Sequence, residues 1–162
     1  LLVAPVPNYV IILGFVAGGV ARGLCVGAIV TAVSLFFVPL QVHDPLAVGV
    51  TLLLTAILFS LGGLINAVFA KSFDDVSIIP TFVLTPLTYL GGVVYSIELL
   101  PPIWQGLSHG NPIIYMVNAF RYGFLGISDV PLPLAYGIIC GFILVLYGLA
   151  HYLVTKGIGL RH

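Results

Sequence analysis

Few residues of this chain are of a type that does chemistry. Residues 106–110, GLSHG, match G-x-S-x-G, the pattern of a nucleophilic serine with His109 beside it as a base. That nucleophile needs a strand before it and a helix after it in a packed α/β sheet. Here PPIWQ precedes it and the surroundings read as helical and apolar. Asp74 and Asp75 are adjacent carboxylates, but no third cation ligand follows at useful spacing. They suit the first turn of a helix, where the dipole favours acids, with Ser72 as its cap. His43, His151 and His162 fall near the ends of apolar runs or in the tail, without metal-ligand spacing, and read as interfacial anchors. Cys25 and Cys140 lie within apolar runs and read as small buried residues rather than as a disulfide or metal pair. The pattern G-x-x-x-x-G-K-[ST] does not occur, so the chain supplies no phosphate-binding loop of its own.

Two charges stand out by position. Arg22 lies 13 residues beyond Tyr9 in an apolar run, about 20 Å along a helix at ~1.5 Å per residue. An arginine at that depth in a membrane costs on the order of 2.5–3.5 kcal/mol, so it must face protein or water. All five acids sit near the ends of apolar runs, and none is an obvious partner. Two roles stay open: a structural one, bonded to carbonyls or to another segment, and one on a substrate path. Glu98, in GGVVYSIELLPPIW, stands between two apolar runs and just before Pro101 and Pro102.

The elements that position these residues follow from composition. Apolar residues make up 60% of the sequence and charged residues 6%, against roughly 25% charged in a soluble domain. A chain of this length cannot hide that much apolar surface from water, so it is an integral membrane protein. Its five basic and five acidic residues leave no electrostatic footprint for nucleic acid. Leucine at position 1, with no charged n-region before it, reads as an internal start. The fold class is all-α, with four transmembrane helices over about 9–38, 46–70, 76–96 and 132–155. Lys71, Lys156 and Arg161 fall on the side that holds both termini, which is therefore cytoplasmic. Gly14, Gly18, Gly19, Gly23 and Gly27 in the first span, and Gly137 and Gly141 in the last, allow close backbone approach, within this chain or at a subunit interface. Pro80, Pro86 and the Gly91–Gly92 pair predict a kinked third span.

About 35 residues separate the last two spans and are too apolar for an ordinary loop. An outer helical segment over about 103–126 is expected, and within it IIYMVNAFRYGFLG, residues 113–126, reads as a short helix. Its 14 residues rise only about 21 Å, too little to cross, so the segment is re-entrant or interfacial. Asn111 is its N-cap and Pro112 its first-turn residue, with Ile113, Val117, Phe120 and Phe124 on one face. The prolines then end the third span, Glu98 reaches the outer water boundary or faces Arg121, and Trp104 anchors at headgroup level.

The stretch YLGGVVYSIELLPPIWQGLSHGNPIIYMVNAFRYGFLG resembles the signature region of type-2 ABC transporter permeases, the membrane subunits of bacterial ABC exporters. The Gly pair, the acid followed by Leu-Pro, the aromatic residue, the Asn-Pro and the late Arg carry the resemblance together. LLVAPVPNYVIILGF and AKSFDDVSIIP are similar to the family as well. The resemblance implies a six-span permease of which the last four spans are present here, the amino-terminal spans being missing. It implies a separate cytoplasmic ATPase subunit that holds the ATP and Mg, a second permease copy as a homodimer partner, and the bacterial inner membrane. No cofactor is expected in this chain itself. Arg22, Glu98 and Arg121 are the candidates for the transport path or outer gate. Lys71, Ser72, Phe73, Asp74 and Asp75 are the candidates for coupling to the ATPase. The rival readings are a membrane scaffold without transport and a membrane-bound hydrolase using Ser108 and His109.

Overall fold

Asp44 starts the helix on which the rest of the chain is assembled. Its Oδ1 accepts from the backbone N–H of Leu46 at 3.0 Å and of Ala47 at 3.2 Å, and Pro45 occupies the first turn, where a missing N–H costs nothing. This helix, α2 (Pro45–Phe69), packs against three others: α1 (Asn8–Ser34), α6 (Pro112–Leu125) and α7 (Leu132–Lys156). The computed structural model describes residues 6–39, 41–93, 99 and 101–157, and among these it contains helices and no strand. Helices α1, α2 and α7 are each long and apolar enough to cross a membrane. Their ends fall within about four residues of the positions expected from the sequence.

Two apolar clusters hold the bundle. Leu58, Ile114, Tyr115, Met116, Ala135 and Ile139 join α2, α6 and α7. Ile12, Leu61, Leu64, Ala150 and Val154 join α1, α2 and α7. The hydroxyls of Thr51 and Tyr136 stand 3.2 Å apart, and Tyr136 donates to the carbonyl of Ala47 at 3.3 Å, so the α2–α7 seam is polar at one point as well.

Helix α1 lies on α2 along a stripe of glycines. A Cβ at Gly19 would collide with the Ser60 side chain, one at Gly23 would stand 3.3 Å from Ala56 Cβ, and one at Gly27 would stand 3.2 Å from Leu52 Cδ1. Small residues four apart thus bring the two backbones together, as lipid-embedded helices require. The other sequence-marked glycines do not act in this way. Gly14, Gly18, Gly137 and Gly141 have nothing within 4 Å of where a Cβ would point.

The expected third span is interrupted. It comprises α3 (Phe73–Ile79), a π-helical turn over Pro80–Leu84 and α4 (Thr85–Leu90), with Gly91 and Gly92 following. Residues 94–96, which the sequence placed in its last turn, lie outside the described residues, as does Glu98. The break has a covalent cause. Pro80 has no N–H, so it cannot donate to the carbonyl of Val76 four residues before it. Asn66 of α2 takes that carbonyl instead, with Nδ2 at 2.9 Å. At the far end Gly91 N–H bonds to Thr88 rather than to Leu87, and Asn111 Nδ2 donates to the Leu87 carbonyl at 2.6 Å.

The outer segment is two helices rather than one: α5 (Pro102–His109) and α6, separated at Gly110 and Asn111. Asn111 caps α6 as expected, accepting from Ile113 N–H at 3.0 Å, with Pro112 in the first turn. Of the expected face, Ile113 is buried, whereas Val117, Phe120 and Phe124 are half-buried. Ile114, Tyr115, Met116, Asn118, Ala119 and Gly123 are buried as well, because α2 and α7 flank the helix on two sides. The cysteines also depart from expectation: Cys25 and Cys140 are free thiols on exposed surfaces.

Candidate functional site

Three regions hold the polar groups of the bundle. The first is an open furrow between α1 and α2. Gly19, Arg22, Gly23 and Val26 recur at helical spacing on one side, facing Leu52, Thr55, Ala56 and Ser60 on the other. They enclose a cavity of about 440 Å³. A second cavity of about 450 Å³ continues from Gly19, Arg22 and Ser60 toward Gly14, Phe15, Gly63 and Ala67. Arg22 therefore stands where the two meet. It is exposed and has no hydrogen-bond or ion-pair partner among the described residues.

The second region is the end of the bundle that carries the starts of α2 and α7 and the end of α6. Arg121 Nη1 bonds to Asp129 Oδ2 at 2.8 Å, and Nη2 donates to the Gly92 carbonyl at 3.4 Å. Asp129 is itself placed by Asn118, whose Oδ1 accepts the Asp129 N–H at 3.0 Å. Asp44 N–H donates to the Gly123 carbonyl at 2.9 Å, and the His43 ring meets Tyr122 edge-on. Gly126 ends α6 at φ 72°, a left-handed conformation suited to glycine, and a Cβ there would crowd the His43 ring at 3.1 Å. The partner seen for Arg121 is thus Asp129. The expected contact with Glu98 falls outside the described residues.

Arg121 and Asp129 are 27% and 42% exposed, so the pair is worth about 0–1 kcal/mol. Asp129→Asn should leave the melting temperature within a few degrees of wild type. A larger loss would mean that the pair is shielded from solvent in the assembled protein.

The third region is the opposite end. Asn8 Nδ2 donates to Thr155 Oγ1 at 3.2 Å, which places the start of α1 beside the end of α7. Lys71 and Lys156 lie at this end, following α2 and closing α7. Ser72 caps α3 as expected. Its hydroxyl accepts from Asp75 N–H at 3.2 Å, while Asp75 Oδ2 accepts from Lys71 N–H at 3.0 Å and Ser72 N–H at 3.1 Å. Phe73 is the first residue of α3. Asp74 is exposed and makes no side-chain bond among the described residues. The two carboxylates therefore differ: Asp75 folds the loop, whereas Asp74 is free to meet another molecule.

The sequence candidates thus separate into an inner cation, an outer pair and a loop at the far end. Ser108 and His109 do not form a nucleophile elbow, because Ser108 is fully buried within helix α5, its Oγ without a partner. Sequence reasoning missed Asn66, Thr55 and the side-chain role of Asn118. The signal for Asn66 was available: an amide in an apolar span, ten residues before the carbonyl that a proline frees.

Residues 1–125 match the family model described as ABC-2 type transporter. The chain is 66% identical over 161 residues to the inner membrane transport permease YadH of Escherichia coli strain K12, covering 99% of this chain and 63% of that protein. It is 24% identical over 135 residues to nodulation protein J of Neorhizobium galegae, covering 83% of this chain and 52% of that one. The chain thus spans less than two thirds of the length of these curated relatives. No solved structure matches. A family match over most of its length, borne on a bundle of membrane-length helices, makes this chain a member of the ABC-2 type transporter family.

Proposed function

We propose that the chain is the permease subunit of an ATP-driven exporter in the bacterial cytoplasmic membrane. It pairs with a second permease copy and is powered by a separate ATPase that binds ATP and Mg. In this reading the interrupted helix crosses as the third of four spans. From Phe73 to Leu90 it rises about 27 Å at ~1.5 Å per residue, close to the roughly 30 Å of hydrocarbon. The observation that carries the reading is this broken helix in a chain of this family. Its freed carbonyls are met by amides of neighbouring elements, and π-helical backbone at membrane depth belongs to elements that bend or line a path. A kinked span between an ATPase-facing loop and an outer cap is what coupled transport requires.

The test is the full-length permease reconstituted with its ATPase. ATP-dependent movement of an amphiphile across the bilayer supports the reading. A complex that hydrolyses ATP without moving any amphiphile, and without any response to its permease, would point to a scaffold instead.

Orientation follows from the charges. Lys71 and Lys156 are cytoplasmic, and His43 and Asp129 are outside. Single cysteines at these positions, in a background lacking Cys25 and Cys140, should label from outside intact cells at 43 and 129 only. Outside labelling at 71 with protection at 129 would reverse the assignment.

The loop after α2 is the coupling contact, and Asp74 is its free charge. Asp74→Lys should weaken co-purification of the ATPase while leaving insertion and thermal stability unchanged. Asp75→Lys should also cost about 1 kcal/mol of local stability through the lost cap. Equal ATPase binding by wild type and Asp74→Lys would remove the contact.

A further inference from the structure

We propose that the furrow between α1 and α2 holds the acid group of an amphiphile, paired with Arg22, and that acidic amphiphiles are therefore the cargo of this permease; the cargo assignment rests on the permease reading above. Arg22 is about 21 Å from the Asn8 end of α1 and about 18 Å from the Ser34 end, at ~1.5 Å per residue. Neither membrane surface is within reach of its side chain, so it cannot discharge its cost by snorkelling. It is unpaired among the described residues and opens onto both cavities. A cation held in an apolar cleft calls for an anion.

A second polar group points the same way. The hydroxyls of Thr31, Ser34, Thr51, Ser60 and Thr88 each return to the carbonyl four residues earlier. Thr55 does not: its Oγ1 is buried with no partner and stands on the wall of the Arg22 cavity. A buried hydroxyl without a partner is costly, and an oxyanion would satisfy both it and the guanidinium.

The remaining lining defines the rest of the ligand. Gly14, Gly18 and Gly63 open the furrow, and space is empty where each would carry a Cβ. Cavities of about 440 and 450 Å³ on either side of Arg22 are of ligand size, and apart from Arg22, Thr55 and Ser60 they are lined by apolar side chains and glycines. The complement is one acid group on an apolar body, entering sideways from the bilayer. A resident phospholipid fits less well, because its phosphate sits about 15 Å from the midplane, half of the roughly 30 Å core.

The experiment uses the full-length permease with its ATPase partner, in phosphatidylcholine nanodiscs without ATP. Fluorescent fatty acid, fatty alcohol and fatty amine of one chain length are compared, with empty nanodiscs subtracted. The acid should bind at least about tenfold more tightly than the other two. Arg22→Gln should abolish that preference and leave alcohol binding unchanged, while Arg22→Lys should keep most of it. Gly63→Leu, whose Cβ would meet nothing within 4 Å and whose side chain extends into the furrow, should weaken all three probes. Equal binding of the three headgroups, or an acid preference that survives Arg22→Gln, would overturn the proposal. Competition by phosphatidylglycerol in the nanodisc would mark a resident lipid and overturn the cargo assignment. Loss of subunit assembly in Arg22→Gln with no acid binding in wild type marks a protein carboxylate as the partner, and overturns it as well. ATP-driven movement is assayed separately. Movement without headgroup preference defeats only this inference, whereas no movement of any amphiphile defeats the permease reading.

Discussion

Asn66→Leu should loosen the interrupted helix and cost about 1–3 kcal/mol, the penalty for stranding one buried polar group. Asn66 is 7% exposed, and its amide serves the Val76 carbonyl that Pro80 leaves without a helical donor. Hydrogen exchange should rise across residues 76–84, and transport by the full-length protein should fall. The decisive variant is Pro80→Ala, which restores the N–H four residues on. In that background Asn66→Leu should be nearly harmless, giving a coupling energy of at least about 1 kcal/mol. Additive losses in the double variant would show that Asn66 acts through some other contact.

Gly123→Val should separate α6 from α2. A Cβ at 123 would lie 2.5 Å from Val48 Cγ2, 3.1 Å from its backbone N and 3.4 Å from its Cα. Side-chain rotation relieves the first contact but not the 3.1 Å approach to the backbone N, so the helices must part by a few tenths of an ångström. The expected cost is about 1–3 kcal/mol for overpacking, with the Asp44 to Gly123 hydrogen bond lost in addition. A cysteine pair placed across the two helices should lose its cross-linking, and the melting temperature should fall. Gly137→Val is the matched control, since nothing stands within 4 Å of its Cβ direction. Equal stability of the two variants would mean that α6 is not clamped at Gly123.

Much of this arrangement was legible in the sequence because lipid imposes few solutions. Three long apolar runs became α1, α2 and α7, and the proline-kinked run became a broken helix. The caps were readable because they are local. Ser72 with Asp75, and Asn111 with Pro112, need only their own neighbours. What sequence spacing did not give is which face of a helix looks where. On α6 the spacing 113, 117, 120 and 124 pointed to one face, yet burial extends from Ile113 over Ile114, Tyr115, Met116, Asn118, Ala119 and Gly123, because α2 and α7 flank the helix on two sides. The glycines divided in a way that spacing alone does not show: Gly19, Gly23 and Gly27 meet α2, whereas their neighbours Gly14 and Gly18 open the furrow. The Arg121 partner was illegible too, because Asp129 is brought to it by Asn118, a contact made across a turn.

The two asparagine bonds on the interrupted helix have a mechanical consequence. Asn66 fastens it near one end and Asn111 near the other, and none of the described residues of the π-helical turn between them is buried. A rod fixed at both ends and free at its middle can bow sideways but cannot slide along its axis. Under the proposed function, a push on the loop at Lys71–Asp75 would be spent on bowing the turn around Pro80 rather than on driving the helix outward as a piston. The outer end, fastened through Asn111 to the start of α6, tilts as the middle bows, so the cap moves by rotation while its distance from the far loop stays nearly constant.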